Sequence, residues 1–203
     1  MRGTISFAQG LMIFVLSIGM AQAATSVPNV TIHNLENAIQ AEANAANRYE
    51  IFSQKARRDG HTQVARLFRA AAQAETIHRK NHQEALLALG GPMIEVKLAS
   101  VKVGSTRQNL EIPIKGEAEE RDVMYPRLIR EAKADHAEQA VQSFIYARDT
   151  EAEHEKLFKR ALAELGHNPL EDYYVNKVSG FTVAVPQGHA FAKAKAGNYI
   201  RVG

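Results

Sequence analysis

The sequence predicts a mainly α-helical protein: a four-helix bundle with one long crossover, then a small irregular or β C-terminal segment. Three observations carry this. Apolar and small residues recur at helical spacing from Thr31 to Gly90, and again from about residue 109 to 166. Each stretch is interrupted once, at Asp59-Gly60 and near Asp135. The two stretches also repeat one another in register. Two helical hairpins joined by a long connection describe a bundle with a crossover.

The chain opens on Arg2, the only formal charge before Glu36, followed by the apolar run Leu11 to Met20 and then Ala21-Gln22-Ala23. A basic residue, an apolar stretch and an A-x-A site read as a signal peptide over residues 1–23, cleaved at about Ala23/Ala24. The alternative is an uncleaved anchor or a short buried helix. The run is shorter than the ~20 residues needed to span a bilayer, so stable membrane insertion is not expected. The mature chain is expected to be exported, in a bacterium to the periplasm.

Residues 24–168 hold the bundle. Helices are expected over roughly 31–59 and 61–89, ended by Gly90-Gly91-Pro92. Residues 91–108 read as the crossover, and the second helical pair runs from about 109 to the stop at Gly166-His167-Asn168-Pro169. Pro113, close to the start of the third helix, leaves its first turn open.

Composition narrows the chemistry. The 203 residues include no cysteine and no tryptophan, are 45% hydrophobic and 23% charged, and carry a formal net charge of +3. The apolar fraction suffices for a core. Charges are interspersed, so no basic stripe suggests nucleic acid. Without cysteine there is no disulfide, no thiolate metal site and no cysteine nucleophile. Any metal must be held by His, Asp or Glu.

The repeat locates such residues. At an offset of 75, Thr31, Asn34, Leu35, Glu36, Ile39 and Glu42 fall on Thr106, Asn109, Leu110, Glu111, Ile114 and Glu117. At an offset of 76, Tyr49, Ala56, Asp59, Phe68, Glu75 and His78 fall on Tyr125, Ala132, Asp135, Phe144, Glu151 and His154. The offset changes once, between the glutamate and the tyrosine. One extra residue inside a helix is a π-bulge, often a mark of function.

Glu75-x-x-His78 and Glu151-x-x-His154 each place two ligand types on one helix face. With Glu42 and Glu117 from the other two helices, they make the carboxylate set that holds two metals in a bundle core. Glu164-x-x-His167 has the same spacing but no repeat partner and sits at a helix end, so it reads as surface. Four carboxylates balance two divalent cations. Glu120, one turn beyond Glu117, would suit a more oxidised pair, although Glu119 beside it is equally acidic. Oxygen-rich ligation with two imidazoles suits iron or manganese better than zinc. Tyr49 and Tyr125 are candidate hydrogen-bond donors to the ligands, or equally plain core.

These motifs, with Asn47-Arg48-Tyr49, Met124-Tyr125-Pro126 and Gly116-Glu117-x-x-Glu120, resemble the rubrerythrins. The resemblance covers nearly all of the mature chain. It implies a ferritin-like bundle with two non-haem iron ions, hydrogen peroxide reduction and a homodimer. By the same resemblance Glu75 and Glu151 would bridge the irons, Glu42 and Glu117 would be terminal ligands, and His154 would bind one iron. Glu120 and His78 would alternate on the other. Glu120, Tyr49 and Tyr125 are thus the candidate catalytic residues.

The tail, residues 169–203, departs from the family. It resembles a rubredoxin-like module, yet the expected iron-ligand positions hold Asn176, Ser179, and about His189 and Ala192. One imidazole, an amide and a hydroxyl do not make an iron site, so no rubredoxin-type iron is expected and electrons must come from an external donor. An unrelated arm of turns and short strands is the alternative. So short a unit rarely folds alone, and Tyr173, Tyr174, Phe181, Phe191 and Tyr199 are expected to pack together, on the bundle or on a partner chain. Two functions follow: a peroxide- or dioxygen-reducing oxidoreductase, or a protein that oxidises or sequesters iron without peroxidase turnover.

Overall fold

The structure, a computed structural model, describes residues 29–193 and 197–202. The expected signal peptide lies outside the described residues. Helix α1 (Asn29–Arg58) and α2 (Thr62–Ala88) form the first hairpin. In the second, α3 (Thr106–Glu119) runs through a π-helical turn, Glu120–Met124, into α4 (Tyr125–Ala134), and α5 (Glu138–Ala163) returns. The architecture is the expected one.

The repeat is visible in the turns. After α1, Gly60 takes φ 83°, and His61 N–H reaches the Ala56 carbonyl at 2.8 Å. This closes the helix with a left-handed residue. Its counterpart after α4 is His136 at φ 55°, with Ala137 N–H on the Ala132 carbonyl at 2.9 Å. The hairpins are then tied crosswise by repeat mates. Thr31 Oγ1 donates to Asp135 at 2.5 Å, and Thr106 Oγ1 donates to Asp59 at 2.7 Å.

The third helix starts earlier than the sequence suggests. Ser105 caps it at Thr106, and Gln108 returns the bond in a capping box. Pro113 therefore sits in the helix interior, where its missing N–H removes a bond that the cap is too distant to replace. The π turn falls where the repeat offset changes. Its extra residue is taken up between Glu117 and Tyr125, so both keep the faces of their mates Glu42 and Tyr49. The crossover runs along α1, strapped by side-chain amides: Gln40 exchanges two hydrogen bonds with the Lys97 backbone, and Asn44 accepts from Ala99.

Two apolar clusters fill the bundle ends. One gathers Phe52, Phe68 and Phe158 around Tyr49; the other gathers Leu35, Ile39, Leu86 and Phe144 around Tyr125. Glu42, Glu75, Glu117 and Glu151 lie between them along the helices.

The tail is a three-stranded antiparallel sheet in the order β2-β1-β3, with β1 Glu171–Asn176, β2 Thr182–Pro186 and β3 Tyr199–Val202. It packs on its own bundle through Tyr173, Val175 and Val202. The expected single aromatic cluster is split. Neighbouring residues of a strand point to opposite faces, so Tyr173 enters the core while Tyr174, Phe191 and Tyr199 stack on the other face, with centroids 4.8 and 5.0 Å apart. Phe181 is half-buried and joins neither stack among the described residues.

Candidate metal centre

Each bundle helix brings one part of the site to mid-bundle depth. α1 supplies Glu42, α2 supplies Glu75 and His78, α3 supplies Glu117, and α5 supplies Glu151 and His154. All six are buried, none more than 3% exposed. They fall into two groups whose ligand atoms lie within 4.8 Å of one another: Glu42, Glu75, His78 and Glu151, and Glu75, Glu117, Glu151 and His154. Glu75 and Glu151 belong to both, so they stand between two neighbouring positions. Glu164 and His167 are exposed.

Both imidazoles turn Nδ1 to the carboxylates. His78 Nδ1 lies 2.9 Å from Glu75 and 3.2 Å from Glu151; His154 Nδ1 lies 3.1 Å from Glu151 and 3.4 Å from Glu75. The far nitrogens are held by the tail. His78 Nε2 meets the Ser179 carbonyl at 3.1 Å, and His154 Nε2 meets Thr182 Oγ1 at 3.1 Å. A carbonyl only accepts, so His78 carries a proton on Nε2. Burial opposes a second proton, but Glu151 and Glu75 outweigh it and hold one on Nδ1, and that is the nitrogen a metal would take in its place.

The tyrosines bind across the repeat. Tyr49 donates to Glu117, and Tyr125 donates to Glu42. Burial, then the paired glutamate, pushes both phenols well up, so they stay protonated donors. Glu120 opens the π turn, half-buried and outside both ligand groups. Burial first, then Glu151 and Glu75, pushes its carboxyl up to about 8.

So many buried carboxyls are costly without compensating cations. Glu42 and Glu117 are pushed well up by burial and by their neighbours. Burial also works against ionised Glu151, but His78 and His154 outweigh it and hold that carboxylate low. Burial opposes protonated His154 too, yet its bonds to Glu151 and Glu75 raise it to about 9. Protons thus occupy the places of cations. Among the described residues Glu117 Oε2 is buried with no hydrogen-bond partner, an acceptor suited to a metal. The donor set, four carboxylates and two imidazoles in two overlapping groups, fits two iron-type ions.

A pH dependence follows. His154, at about 9 in the fold against 6.5 unfolded, stabilises the metal-free protein fully below 6.5 and loses that stability as pH rises through 9. Glu120, raised from 4.5 to about 8, acts in the same direction. Thermal melts of the metal-free protein should show Tm falling between pH 6.5 and 9, and metal loading should remove the fall. A metal-free Tm that is flat or rising across this window contradicts the charge assignment.

Sequence reasoning missed the tail's place at the site. Gly180, at φ 80°, lies against His78, and a Cβ there would stand 2.5 Å from Nε2. Gly180→Ala should destabilise the fold by about 2 kcal/mol or more, from overpacking and the left-handed backbone. Urea unfolding with unchanged stability would show that the tail does not pack here. His82 was missed as well. It is fully buried one turn beyond His78, and burial lowers it to about 3.

The sequence model of the Rubrerythrin family matches residues 33–162. The chain belongs to the rubrerythrin family. It is 31% identical over 175 residues to nigerythrin of Nitratidesulfovibrio vulgaris, covering 86% of this chain and 84% of that protein. It is 34% identical to Rubrerythrin-2 of Clostridium acetobutylicum, covering 77% and 88%. A solved mixed-valence nigerythrin superposes with a TM-score of 0.76 at 28% identity, over 89% of this chain and 90% of that one. Symerythrin from Cyanophora paradoxa, at 23% identity and a TM-score of 0.60, shares the fold over 68% of this chain and 86% of that one. The rubrerythrin fold and the carboxylate–histidine cluster together are those of an iron-binding, oxidoreductase-type protein.

Proposed function

We propose that this rubrerythrin-family protein reduces hydrogen peroxide, or dioxygen, at a two-metal site fed by an external electron donor. The observation that carries the reading is the position of Glu120. A fifth carboxyl stands beside two complete ligand groups, kept protonated by burial first and then by the carboxylates it would join. An iron pair held there supplies two electrons for cleavage of an O–O bond. Manganese fits the same donors.

The chain's residues divide that work. Glu75 and Glu151 span both positions, while Glu42 and Glu117 complete one group each. His154 serves the Glu117 side. On the Glu42 side, His78 would hold the ion in its reduced state, and Glu120 would take its place when charge accumulates, releasing its own proton. Tyr49 and Tyr125 orient the terminal glutamates. The Ser179 carbonyl accepts from His78 Nε2–H, which leaves Nδ1 as the nitrogen that would meet a metal.

The remaining features are proposed on the sequence. The protein is exported to the periplasm after loss of residues 1–23, and acts as a homodimer. Its tail holds no rubredoxin-type iron, because Asn176, Ser179, His189 and Ala192 stand at the ligand positions. That tail favours a second reading, iron oxidation or sequestration without peroxidase turnover. Anaerobic reduction of the iron-loaded protein, followed by peroxide, separates the two. Rapid oxidation consuming about one peroxide per metal pair is expected from the two-electron stoichiometry. Two bound metals that do not react with peroxide would leave only the second reading.

A further inference from the structure

Besides Glu120 and its π turn, the two halves of the repeat differ in what packs on their tyrosines beside the metal centre. Tyr49 is packed by Phe158 and Phe68, with ring centroids 5.5 and 6.1 Å away. Tyr125 is packed by His82 and Phe144, at 6.0 and 6.1 Å. At the offset of 76, Phe68 and Phe144 are mates, but His82 corresponds to Phe158 and Ser143 to Leu67. One half therefore carries an imidazole and a hydroxyl where the other carries two apolar side chains. Packing alone gives no reason for that exchange, since the apolar version fills the equivalent space. Burying a polar pair also costs free energy unless its hydrogen bonds are made.

Those bonds are made, and they form a line. His82 Nδ1 lies 2.6 Å from Ser143 Oγ, and His82 Nε2 lies 3.3 Å from the Tyr125 hydroxyl. Tyr125 in turn donates to Glu42. Because the phenol proton is given to Glu42, the phenol oxygen accepts from His82 Nε2–H, and Nδ1 accepts from the Ser143 hydroxyl. Every donor then points inward. At the outer end, Ser143 lines an open groove of about 300 Å³ between α2 and α5, beside Asn81, Gln142 and Tyr146.

We propose that Ser143, His82 and Tyr125 form a proton relay from this groove to Glu42. The proposal rests on the peroxide-reducing reading and deepens it. Breaking the O–O bond of one peroxide with two electrons from the external donor takes up two protons and leaves two waters. In each transit a groove water protonates Ser143 Oγ as the serine proton passes to His82 Nδ1. The Nε2 proton passes to Tyr125, the phenol proton passes to Glu42, and Glu42 releases it to an oxygen of the cleaved peroxide. Two transits supply both protons, drawn from solvent through the groove. Each relay member ends with the proton count it began with, and rotation of the hydroxyls and return of the imidazole tautomer reset the line. Among the described residues the other half, with Phe158 and Leu67, offers no such path, so protons enter on the Glu42 side.

The test uses Ser143→Ala, Ser143→Thr and His82→Phe, the last placing the repeat mate's residue in the same space. In the iron-loaded protein, Ser143→Ala and His82→Phe should slow peroxide-driven oxidation about tenfold or more and abolish its solvent isotope effect. Ser143→Thr should restore both. Nitrogen NMR of histidine-labelled, zinc-loaded protein, which cannot turn over, should show His82 as the Nε2–H tautomer. Wild-type rates and isotope effects in Ser143→Ala and His82→Phe, or an Nδ1–H tautomer in the zinc form, would overturn the relay. Failure of the peroxide reading shows itself differently, as a wild-type protein that does not consume peroxide.

Discussion

Replacing Glu151 with alanine should cost the protein both metal ions. Glu151 belongs to both ligand groups, so its loss removes a donor from each at once. It also removes the counter-charge that faces His78 at 3.2 Å and His154 at 3.1 Å. Loss of an outer hydrogen-bond partner alone lowers metal affinity by roughly 10–100-fold, and removal of a shared ligand should exceed that. Glu151→Gln keeps the volume and removes the charge, so it separates ligand loss from cavity formation. Metal analysis of each variant, with circular dichroism to confirm the fold, is the measurement. A Glu151→Gln variant that still binds two ions tightly would show that the site lies elsewhere.

Glu120→Ala should behave in the opposite sense, binding metal nearly as well as the parent protein and turning over roughly 10–100-fold more slowly. The reason is position. Glu120 is outside both four-residue groups, so loading does not need it. Its carboxyl titrates at about 8 because burial, Glu151 and Glu75 all oppose its charge. It becomes an anion readily only when positive charge accumulates beside it. Steady-state peroxide consumption compared with a metal-binding isotherm separates the two effects. Equal losses in both would make Glu120 an ordinary ligand, and no loss in either would return it to the surface.

The sequence already carried most of this arrangement, because the repeat imposes it. Identical residues at a constant offset must occupy equivalent places in two similar hairpins, so Glu42 with Glu117 and Glu75 with Glu151 could be paired before any coordinates. The offset change marked the π turn for the same reason. What stayed hidden were contacts between segments that share no period. Gly180, between β1 and β2, and Thr182, which opens β2, reach the two histidines from more than twenty residues along the chain from His154, and nothing local in the tail signals that. The aromatic residues of the tail share a type, but strand alternation divides them by face. The third helix starts at Thr106 because the Ser105–Gln108 cap precedes the apolar periodicity that begins near residue 109. His82 did leave a trace: opposite Phe158 it is a mismatch in the repeat, and a polar mismatch next to a ligand pair carries information.

The central claim is that six buried side chains form one site for two ions in each chain. Iron analysis of the anaerobically reconstituted protein, read together with Mössbauer spectroscopy of its oxidised form, tests it most directly. The account predicts two irons per chain, magnetically coupled through the shared carboxylates Glu75 and Glu151. One iron per chain, two uncoupled irons, or none would contradict it.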